Sequence, residues 1–263
     1  MLTFSPAATD KSTPRRILTG PASLLSVSPR SVSSTIGSVD AVRFMLFFKF
    51  NILYLRRALA PVATIFFYTV FTLGPVHATE KSILAFGDSL TAGFGLNVSD
   101  SFPSRLQIAL RAAGHRVRVI NGGVSGDTTA GGLARIDWLM EDPPDLVIVE
   151  LGGNDALRGL PPVGTQRNLN DIIKRSKEKG AKVILTGILA PPNMGKAYTT
   201  AFNPIFRKLA RSHNVPLYPF FLEGVIQEPA LMLPDGIHPN AKGVAVIVEQ
   251  ILPVVLQTLG EEQ

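Results

Sequence analysis

The chain has 263 residues, with 26 lysines and arginines against 20 aspartates and glutamates, and it contains no cysteine. Eight of the basic residues and two of the acidic ones precede residue 79, so the rest of the chain carries 18 of each. This balance argues against a surface that binds the phosphate backbone of nucleic acids. The lack of cysteine excludes thiol catalysis, disulfides, thiolate metal sites and lipidation on cysteine.

The first 78 residues have the character of a targeting sequence. Residues 1–44 are rich in Ser, Thr, Pro and Arg without hydrophobic periodicity, which predicts a disordered extension or a segment upstream of the true start. Met45 opens a stretch that contains basic residues, an apolar run at 58–73 and the tripeptide VHA. This order is typical of a secretory signal, so 45–78 is interpreted as a signal peptide cleaved after Ala78, with export to the periplasm or the medium. The alternative is an uncleaved membrane anchor, although the apolar run of 16 residues is short for a span that needs about 20.

The remaining part, residues 79–263, is long enough for one domain with a sizeable core. It alternates short runs rich in Val, Ile and Leu with longer segments of helical pattern, several of which end at glycine. The predicted strands are 83–86, 117–120, 146–151, 182–186 and 215–218, and the predicted helices are 102–113, 129–140, 166–179, 200–213 and 241–259. This alternation predicts the α/β class, as a three-layer α/β/α sandwich around a mainly parallel five-stranded sheet.

Four polar loops rich in glycine punctuate the predicted elements. Loops 87–89, 121–127 and 152–155 each follow a predicted strand, and loop 235–240 precedes the last helix. Parallel sheets bind ligands at the carboxyl ends of their strands. We therefore expect all four loops to converge on one edge of the sheet.

Ser89, in the first of these loops, is a candidate nucleophile that needs a base. Residues 79–263 contain three histidines, and His115 and His213 both lie at predicted helix exits, where an ordinary surface role is expected. His238 follows Asp235 by three residues in DGIHPN, so the carboxylate could orient and stabilise the imidazole. Alternatively, DGIHPN is only a loop before the last helix, with its final asparagine as the helix cap.

An oxyanion produced by such a serine also needs hydrogen-bond donors. The glycine at 126 can offer an unobstructed backbone N–H, the side chain of Asn154 offers an amide, and Ser89 offers the N–H of a helix start. Taken singly, glycine and asparagine after a strand are ordinary turn residues. Asp88 is interpreted as a structural hydrogen-bonding residue rather than as a second base.

The four loops together resemble the SGNH, or GDSL, hydrolase superfamily. Its blocks occur in order as GDSLTAGFG, NGGVSGDTTAGGLAR, VIVELGGNDALRG and DGIHPN, and the resemblance covers nearly all of residues 81–258. Within the superfamily, the chain is most similar to bacterial periplasmic enzymes of the acyl-CoA thioesterase, arylesterase and lysophospholipase type. The resemblance implies a flavodoxin-like fold and a serine esterase that hydrolyses aryl esters, acyl-CoA and lysophospholipids through an acyl-enzyme.

The resemblance also implies a role for each residue of the site. Ser89 would be the nucleophile, and Asp235 and His238 would complete the catalytic triad. Ser89, Gly126 and Asn154 would form the oxyanion hole.

Residues after the third predicted strand are expected, by the same resemblance, to bind substrate: Asp155, Ala156, Leu157, Arg158, Gly159 and Leu160. A second apolar loop, 190–194, would lie beside the same edge. Both segments could instead be solvent loops, so deacetylation of carbohydrates stays open beside fatty-acyl hydrolysis. We expect a small acyl ester or thioester as the binding partner, no nucleic acid, no membrane span after signal cleavage, and a monomer.

Two readings from other classes compete with hydrolysis. The pattern Asn121-x-Gly123-x-x-Gly126, with Glu150 further along, nearly matches a dinucleotide fingerprint and would indicate a nucleotide-binding module. It is disfavoured because asparagine replaces the first glycine, the loop follows the second strand, and an exported protein meets little NAD. A carbohydrate- or surface-binding module that has lost catalysis is disfavoured because both Ser89 and His238 are retained. No cofactor or metal is predicted, since no His-x₃-His pattern occurs.

Overall fold

The computed structural model of the chain describes residues 80–260. The predictions for the first 78 residues, namely the extension at 1–44, the signal peptide at 45–78 and cleavage after Ala78, lie outside the described residues.

The described residues form a five-stranded sheet in which every neighbouring pair of strands is parallel. Its order is β2-β1-β3-β4-β5, and the strands are β1 Lys81–Gly87, β2 Val117–Gly123, β3 Leu146–Glu150, β4 Lys182–Thr186 and β5 Leu217–Tyr218. Every residue of β3 is buried, as expected for a strand covered on both faces. Strand β2, at an edge, is less buried: only Val117 and Gly122 of its seven residues are buried. The predicted parallel α/β sheet is confirmed.

Helices cover the sheet on both sides. In chain order they are α1 Ser89–Ala92, α2 Phe102–Ala112, α3 Thr129–Leu139, α4 Gly153–Leu157, α5 Pro162–Glu178, α6 Lys196–Phe202, α7 Ile205–His213 and α8 Ala241–Leu259. Helices α2 and α8 pack against each other, and α3, α5 and α7 pack in succession. The chain moves in one direction across the sheet from β1 to β2 and in the opposite direction from β3 to β5. Since crossovers between parallel strands are right-handed, the helices of these two parts cover opposite faces of the sheet.

Helix α8 has the boundaries predicted from the sequence. Asn240 caps its start by accepting the N–H groups of Lys242 and Gly243, and Gly260 ends it in the left-handed conformation with φ of 80°. Among the described residues, α8 is the one helix long and apolar enough to cross a membrane. Its inner face includes Ile247 and Ile251, both fully buried, so here its apolar residues serve the protein core.

Strands β1 and β2 are longer than predicted, and three further differences from prediction occur at prolines. Helix α5 begins at Pro162 because proline is tolerated in a first helical turn. The single helix predicted over 200–213 is divided into α6 and α7 at Pro204, which has no N–H to donate. Strand β5 is two residues long because Pro216 precedes it, and the N–H of Val215 donates to α7 instead.

Candidate active site

Ser89 lies at the carboxyl end of β1, in the tight turn from strand to helix. It is the first residue of α1, whose cap is Asp88: the Asp88 carboxylate accepts the N–H of Leu90 at 3.0 Å. The residue before Asp88 must be glycine, because a Cβ at Gly87 would lie 2.1 Å from the hydroxyl oxygen of Thr91. This turn holds Ser89, which is 9% exposed, at the edge of the sheet.

His238 reaches Ser89 from a part of the chain 149 residues away. Its Nε2 lies 2.9 Å from Ser89 Oγ, and its Nδ1 lies 2.7 Å from Asp235 Oδ2. The backbone N–H groups of His238 and Ile237 donate to Asp235 Oδ1 at 3.0 and 2.9 Å. These two bonds, and then the bond from the imidazole, lower the pKa of Asp235 to about 2. An ionised Asp235 keeps the proton on Nδ1, which leaves Nε2 free to accept the serine proton.

The loop that carries His238 is fixed by contacts with residues 232 and 233 and by the cap of α8. The N–H of Leu233 donates to the carbonyl of His238 at 2.7 Å, and Met232 forms an antiparallel bridge with Pro239. Asn240 caps α8 and also donates from its amide to the carbonyl of Met232 at 3.2 Å. Asn240 is thus the helix cap that was expected, and the same segment also brings His238 to Ser89.

The two predicted oxyanion donors lie beside the serine. Gly126, in the loop after β2, has φ of 82°, which favours glycine. Asn154 lies in the first turn of α4, after β3, and its Nδ2 donates to Asp88 Oδ2 at 3.0 Å. Ser89, Gly126, Asn154 and His238 all line one cavity, and Asp235 lies behind the imidazole.

Arg135, which was given no role in the sequence analysis, fastens the Gly126 loop. Arg135 donates from Nε to Asp127 at 2.7 Å and from Nη1 and Nη2 to the carbonyls of Gly122 and Gly87 at 2.8 and 3.0 Å. Its guanidinium also lies 4.3 Å from the centre of the Phe86 ring. Arg135 therefore connects the ends of β1 and β2 to this loop. In the sequence, the signal for this role was an acidic residue, Asp127, placed eight residues before the arginine.

The cavity at the serine has a volume of about 520 Å³ and a mainly apolar wall. Its apolar side chains include Phe94, Leu157, Ile188, Leu189, Phe220 and Ile226. The Phe94 ring lies 4.5 Å from the imidazole of His238. A second cavity, of about 620 Å³, shares part of this wall and adds residues of the predicted loop 190–194.

Of the six predicted substrate-binding residues, only Leu157 lines the cavity at the serine. Asp155 and Ala156 lie outside the lining because both are buried on the inner side of α4. The Asp155 carboxylate accepts the N–H and hydroxyl of Thr129 and the hydroxyl of Thr165, so it anchors α4 to its neighbours.

The other three predicted substrate-binding residues, Arg158, Gly159 and Leu160, also lie outside this lining. Arg158 is committed to the protein itself, since its Nη2 donates to the carbonyl of Gly126 at 2.7 Å. The carbonyl of Leu160 accepts the Tyr198 hydroxyl at 2.8 Å. Gly159 has φ of 62°, which places it in the turn that ends α4. These residues therefore secure the segment between α4 and α5.

A buried carboxyl lies beneath the serine turn. Glu150, the last residue of β3, is completely buried, and its Oε2 accepts the Thr91 hydroxyl at 2.7 Å and the N–H of Asp88 at 3.3 Å. Its Oε1 has no hydrogen-bond partner among residues 80–260. Burial, and then the charge of Asp88, raise the pKa of Glu150 well above the ordinary 4.5. Burial also raises the pKa of Asp88 to about 6.

This location removes the alternative in which Glu150 binds a ribose, because the side chain has no access to a ligand. The described residues also contain no group of three or more His, Cys, Asp or Glu side chains that could hold a metal ion. The residues with polar side chains in the lining of the cavity are Asp88, Ser89, Ser125, Asn154 and His238.

Replacing Glu150 by glutamine should flatten the pH dependence of stability. Because its pKa is higher in the folded chain than in the unfolded chain, Glu150 favours folding fully below about pH 4.5, and this contribution falls as the pH rises towards the folded pKa. We expect the free energy of unfolding of the wild type, from urea titrations between pH 5 and 8, to decline more steeply than that of Glu150→Gln. The exposed Glu249→Gln serves as a control and should follow the wild type. Parallel curves for wild type and Glu150→Gln would show that the buried carboxyl carries no extra proton.

Comparisons with known proteins identify a family and several relatives of the chain. Residues 85–246 match the GDSL-like Lipase/Acylhydrolase family. An arylesterase of Vibrio mimicus is 43% identical over 190 residues, which cover 72% of this chain and 95% of that protein. A protein of Escherichia coli named thioesterase 1/protease 1/lysophospholipase L1 is 39% identical over 183 residues, or 68% of this chain and 86% of that protein.

A solved structure extends the likeness to the whole domain. The psychrotrophic esterase EstA from Pseudoalteromonas sp., inhibited by monoethylphosphonate, has a TM-score of 0.66 at 34% identity, and the match covers 69% of this chain and 100% of that one. The chain therefore belongs to the GDSL-like lipase and acylhydrolase family and is an ester hydrolase.

Proposed function

We propose that Ser89, His238 and Asp235 hydrolyse carboxylic esters and thioesters through a covalent acyl-enzyme. The observation that carries the proposal is the contact of 2.9 Å between His238 Nε2 and Ser89 Oγ, with the imidazole held by an ionised Asp235. His238 removes the serine proton while Oγ attacks the acyl carbonyl carbon. The resulting imidazolium then returns this proton to the departing alcohol or thiol, and water repeats the cycle on the acyl-enzyme.

The negative charge that develops on the carbonyl oxygen is met by three donors in this proposal. They are the N–H groups of Ser89 and Gly126 and the side-chain amide of Asn154. Donors fixed in place before the reaction stabilise this charge without the cost of reorganising water. The fastened Gly126 loop and the contact between Asn154 and Asp88 supply this rigidity.

The acyl group is proposed to occupy the apolar cavity beside Ser89, which favours fatty-acyl chains over acetyl groups. Each buried methylene contributes about 0.8 kcal/mol, so a longer chain gains more from an apolar wall than an acetyl group does. The names of the two relatives, arylesterase and thioesterase 1/protease 1/lysophospholipase L1, support aryl esters, acyl-CoA and lysophospholipids as the substrates to test. The other candidate is a carbohydrate acetylesterase of the same fold, whose short acetyl group would gain little from the apolar wall of the cavity.

A substrate panel tests the proposal. Purified protein should be assayed with p-nitrophenyl esters from acetate to palmitate, with acyl-CoAs and lysophospholipids, and with acetylated xylan. We expect kcat/KM to be at least about tenfold higher for medium or long acyl chains than for acetate, from the methylene contribution above. Ser89→Ala is the matched control for background hydrolysis. Preferential release of acetate from xylan would favour the acetylesterase, and activity that survives in Ser89→Ala would overturn the mechanism.

We further propose that the hydrolase domain, residues 79–263, is exported to the periplasm or the medium as a monomer after cleavage near Ala78. The support is the order of basic residues, apolar run and small residues that ends at this position. Mass spectrometry of the exported protein should find an N-terminus at Thr79 or within a few residues of it. Membrane-bound protein that retains residues 45–78 would show an uncleaved anchor instead.

A further inference from the structure

The side chain of Asn154 has one of its two amide N–H groups already in use. Its Nδ2 donates to Asp88 Oδ2 at 3.0 Å, while the same side chain lines the cavity beside Ser89. The planar amide nitrogen carries two hydrogens in fixed directions. Once one N–H is bound to Asp88, the direction of the other is determined.

An asparagine amide without such a partner is free to reverse. Its terminal torsion is broad and roughly two-fold, so a half turn exchanges the NH₂ group for the carbonyl oxygen. An oxygen in that place would repel an oxyanion instead of stabilising it. A partner that only accepts hydrogen bonds selects the productive orientation, and an ionised carboxylate is such a partner.

Asp88 is itself rigidly held, so it can serve as a fixed reference for the amide. It is 2% exposed, and its other oxygen, Oδ1, accepts the N–H of Leu90 at 3.0 Å. Its backbone N–H donates to Glu150. The backbone of Gly153 lies close by, since a Cβ there would be 3.2 Å from Asp88 Oδ2. The glycine leaves room for the contact with Asn154.

We propose that Asp88 is a positioning residue for catalysis: its carboxylate orients the Asn154 amide so that the second N–H points to the developing oxyanion. The inference rests on the proposed function, and it assigns Asp88 a task beyond capping α1. Asp88 does not touch the reacting atoms in this scheme and acts through Asn154.

Asp88→Asn tests the proposal, because asparagine caps helices as well as aspartate does and has nearly the same volume. The introduced amide must present its NH₂ group either to Asn154 or to the N–H of Leu90. Turned towards Asn154, it favours the reversed orientation of that side chain. We expect kcat to fall about 10- to 100-fold, less than the roughly 10²- to 10³-fold cost of removing one oxyanion donor completely, with KM changed less than threefold. Asp142→Asn, an exposed change of the same chemistry, should leave kcat unchanged.

A double-mutant cycle separates orientation of Asn154 from a general effect on the serine turn. In an Asn154→Ala background there is no amide to orient, so adding Asp88→Asn should cost less than a further threefold in kcat. Losses that multiply would overturn the proposal, as would Asp88→Asn turnover within threefold of wild type at an equal folded fraction. Asp88→Ser provides a second variant, since serine also caps helices but is too short to reach Asn154.

A measurement on the wild type makes the test independent of variant folding. In NMR spectra, the side-chain amide signals of Asn154 are identified by their absence in Asn154→Ala. Of the two amide protons, the one donated to Asp88 should exchange slowly with water. Rapid exchange of both protons would overturn the proposal. Failure of the proposed function can be told apart from failure of this inference. If the proposed function were wrong, Ser89→Ala protein would still hydrolyse esters, whatever the result for Asp88→Asn.

Discussion

Alanine in place of Ser89 or of His238 is expected to lower kcat by about 10⁴-fold or more, and the double variant should lose little beyond either single change. The reason is that the two side chains share one proton transfer, across the contact of 2.9 Å between His238 Nε2 and Ser89 Oγ. Once either partner is missing, the other has no step left to accelerate. Asp235→Ala should cost less, because it orients and stabilises the imidazole without receiving the proton. The measurement is kcat on a p-nitrophenyl ester, with fluorophosphonate labelling as a readout of serine reactivity.

His213 provides a matched control for the histidine. It lies at the end of α7, where its Nε2 is 2.8 Å from Asn170 Oδ1, and it does not line the cavity. His213→Ala should therefore retain activity even where it lowers the melting temperature. If the Ser89 and His238 losses instead multiplied in the double variant, the two residues would be acting in separate steps, and the shared proton transfer would be wrong.

Asn154→Ala should reduce kcat by about 10²- to 10³-fold, equivalent to roughly 3 to 4 kcal/mol of transition-state stabilisation, with a much smaller change in KM. The effect falls on kcat more than on KM because the amide interacts more strongly with the negatively charged oxygen of the transition state than with the neutral carbonyl of the substrate. The rate should be expressed per mole of labelled active site and compared with thermal unfolding of the same preparation. Asn97→Ala, at an exposed asparagine whose side chain makes no cap hydrogen bond, is the control.

A structural role alone would give a different pattern for Asn154. The variant would then melt at a lower temperature while its folded fraction kept nearly full activity. Turnover of folded Asn154→Ala within threefold of wild type would remove this side chain from the oxyanion hole. Ser89 and Gly126 would remain as donors, and the orienting contact from Asp88 would lose its purpose.

Much of this architecture was predictable because the local signals agree with one another. Continuous apolar runs predicted the buried strands, and glycines such as Gly114 and Gly180, both with positive φ, mark helix ends. The topology then brings the loops after β1, β2 and β3 to one edge, which is why Ser89, Gly126 and Asn154 could be grouped from the sequence.

The segment after β3 shows where sequence patterns stop being informative. Helix α4 has five residues, too few for a hydrophobic period to tell the inward side chains from those that face the cavity. Asp155 and Leu157 therefore looked alike as candidates, although one is buried among hydroxyl groups and the other lines the cavity. The Asp88 contact to Asn154 was equally hidden, since it joins residues 66 positions apart.

The distance along the chain between Ser89 and His238, 149 residues, also bears on how the protein folds. Contacts of such separation require a large loop to close, so they are slow to form and usually follow local structure. A nascent chain can contain the complete turn of β1 and α1 and still lack its base until the segment before α8 has been synthesised and α8 has docked against α2. Under the proposed mechanism, a partly made chain that ends before His238 therefore has no base for Ser89 and should not hydrolyse esters.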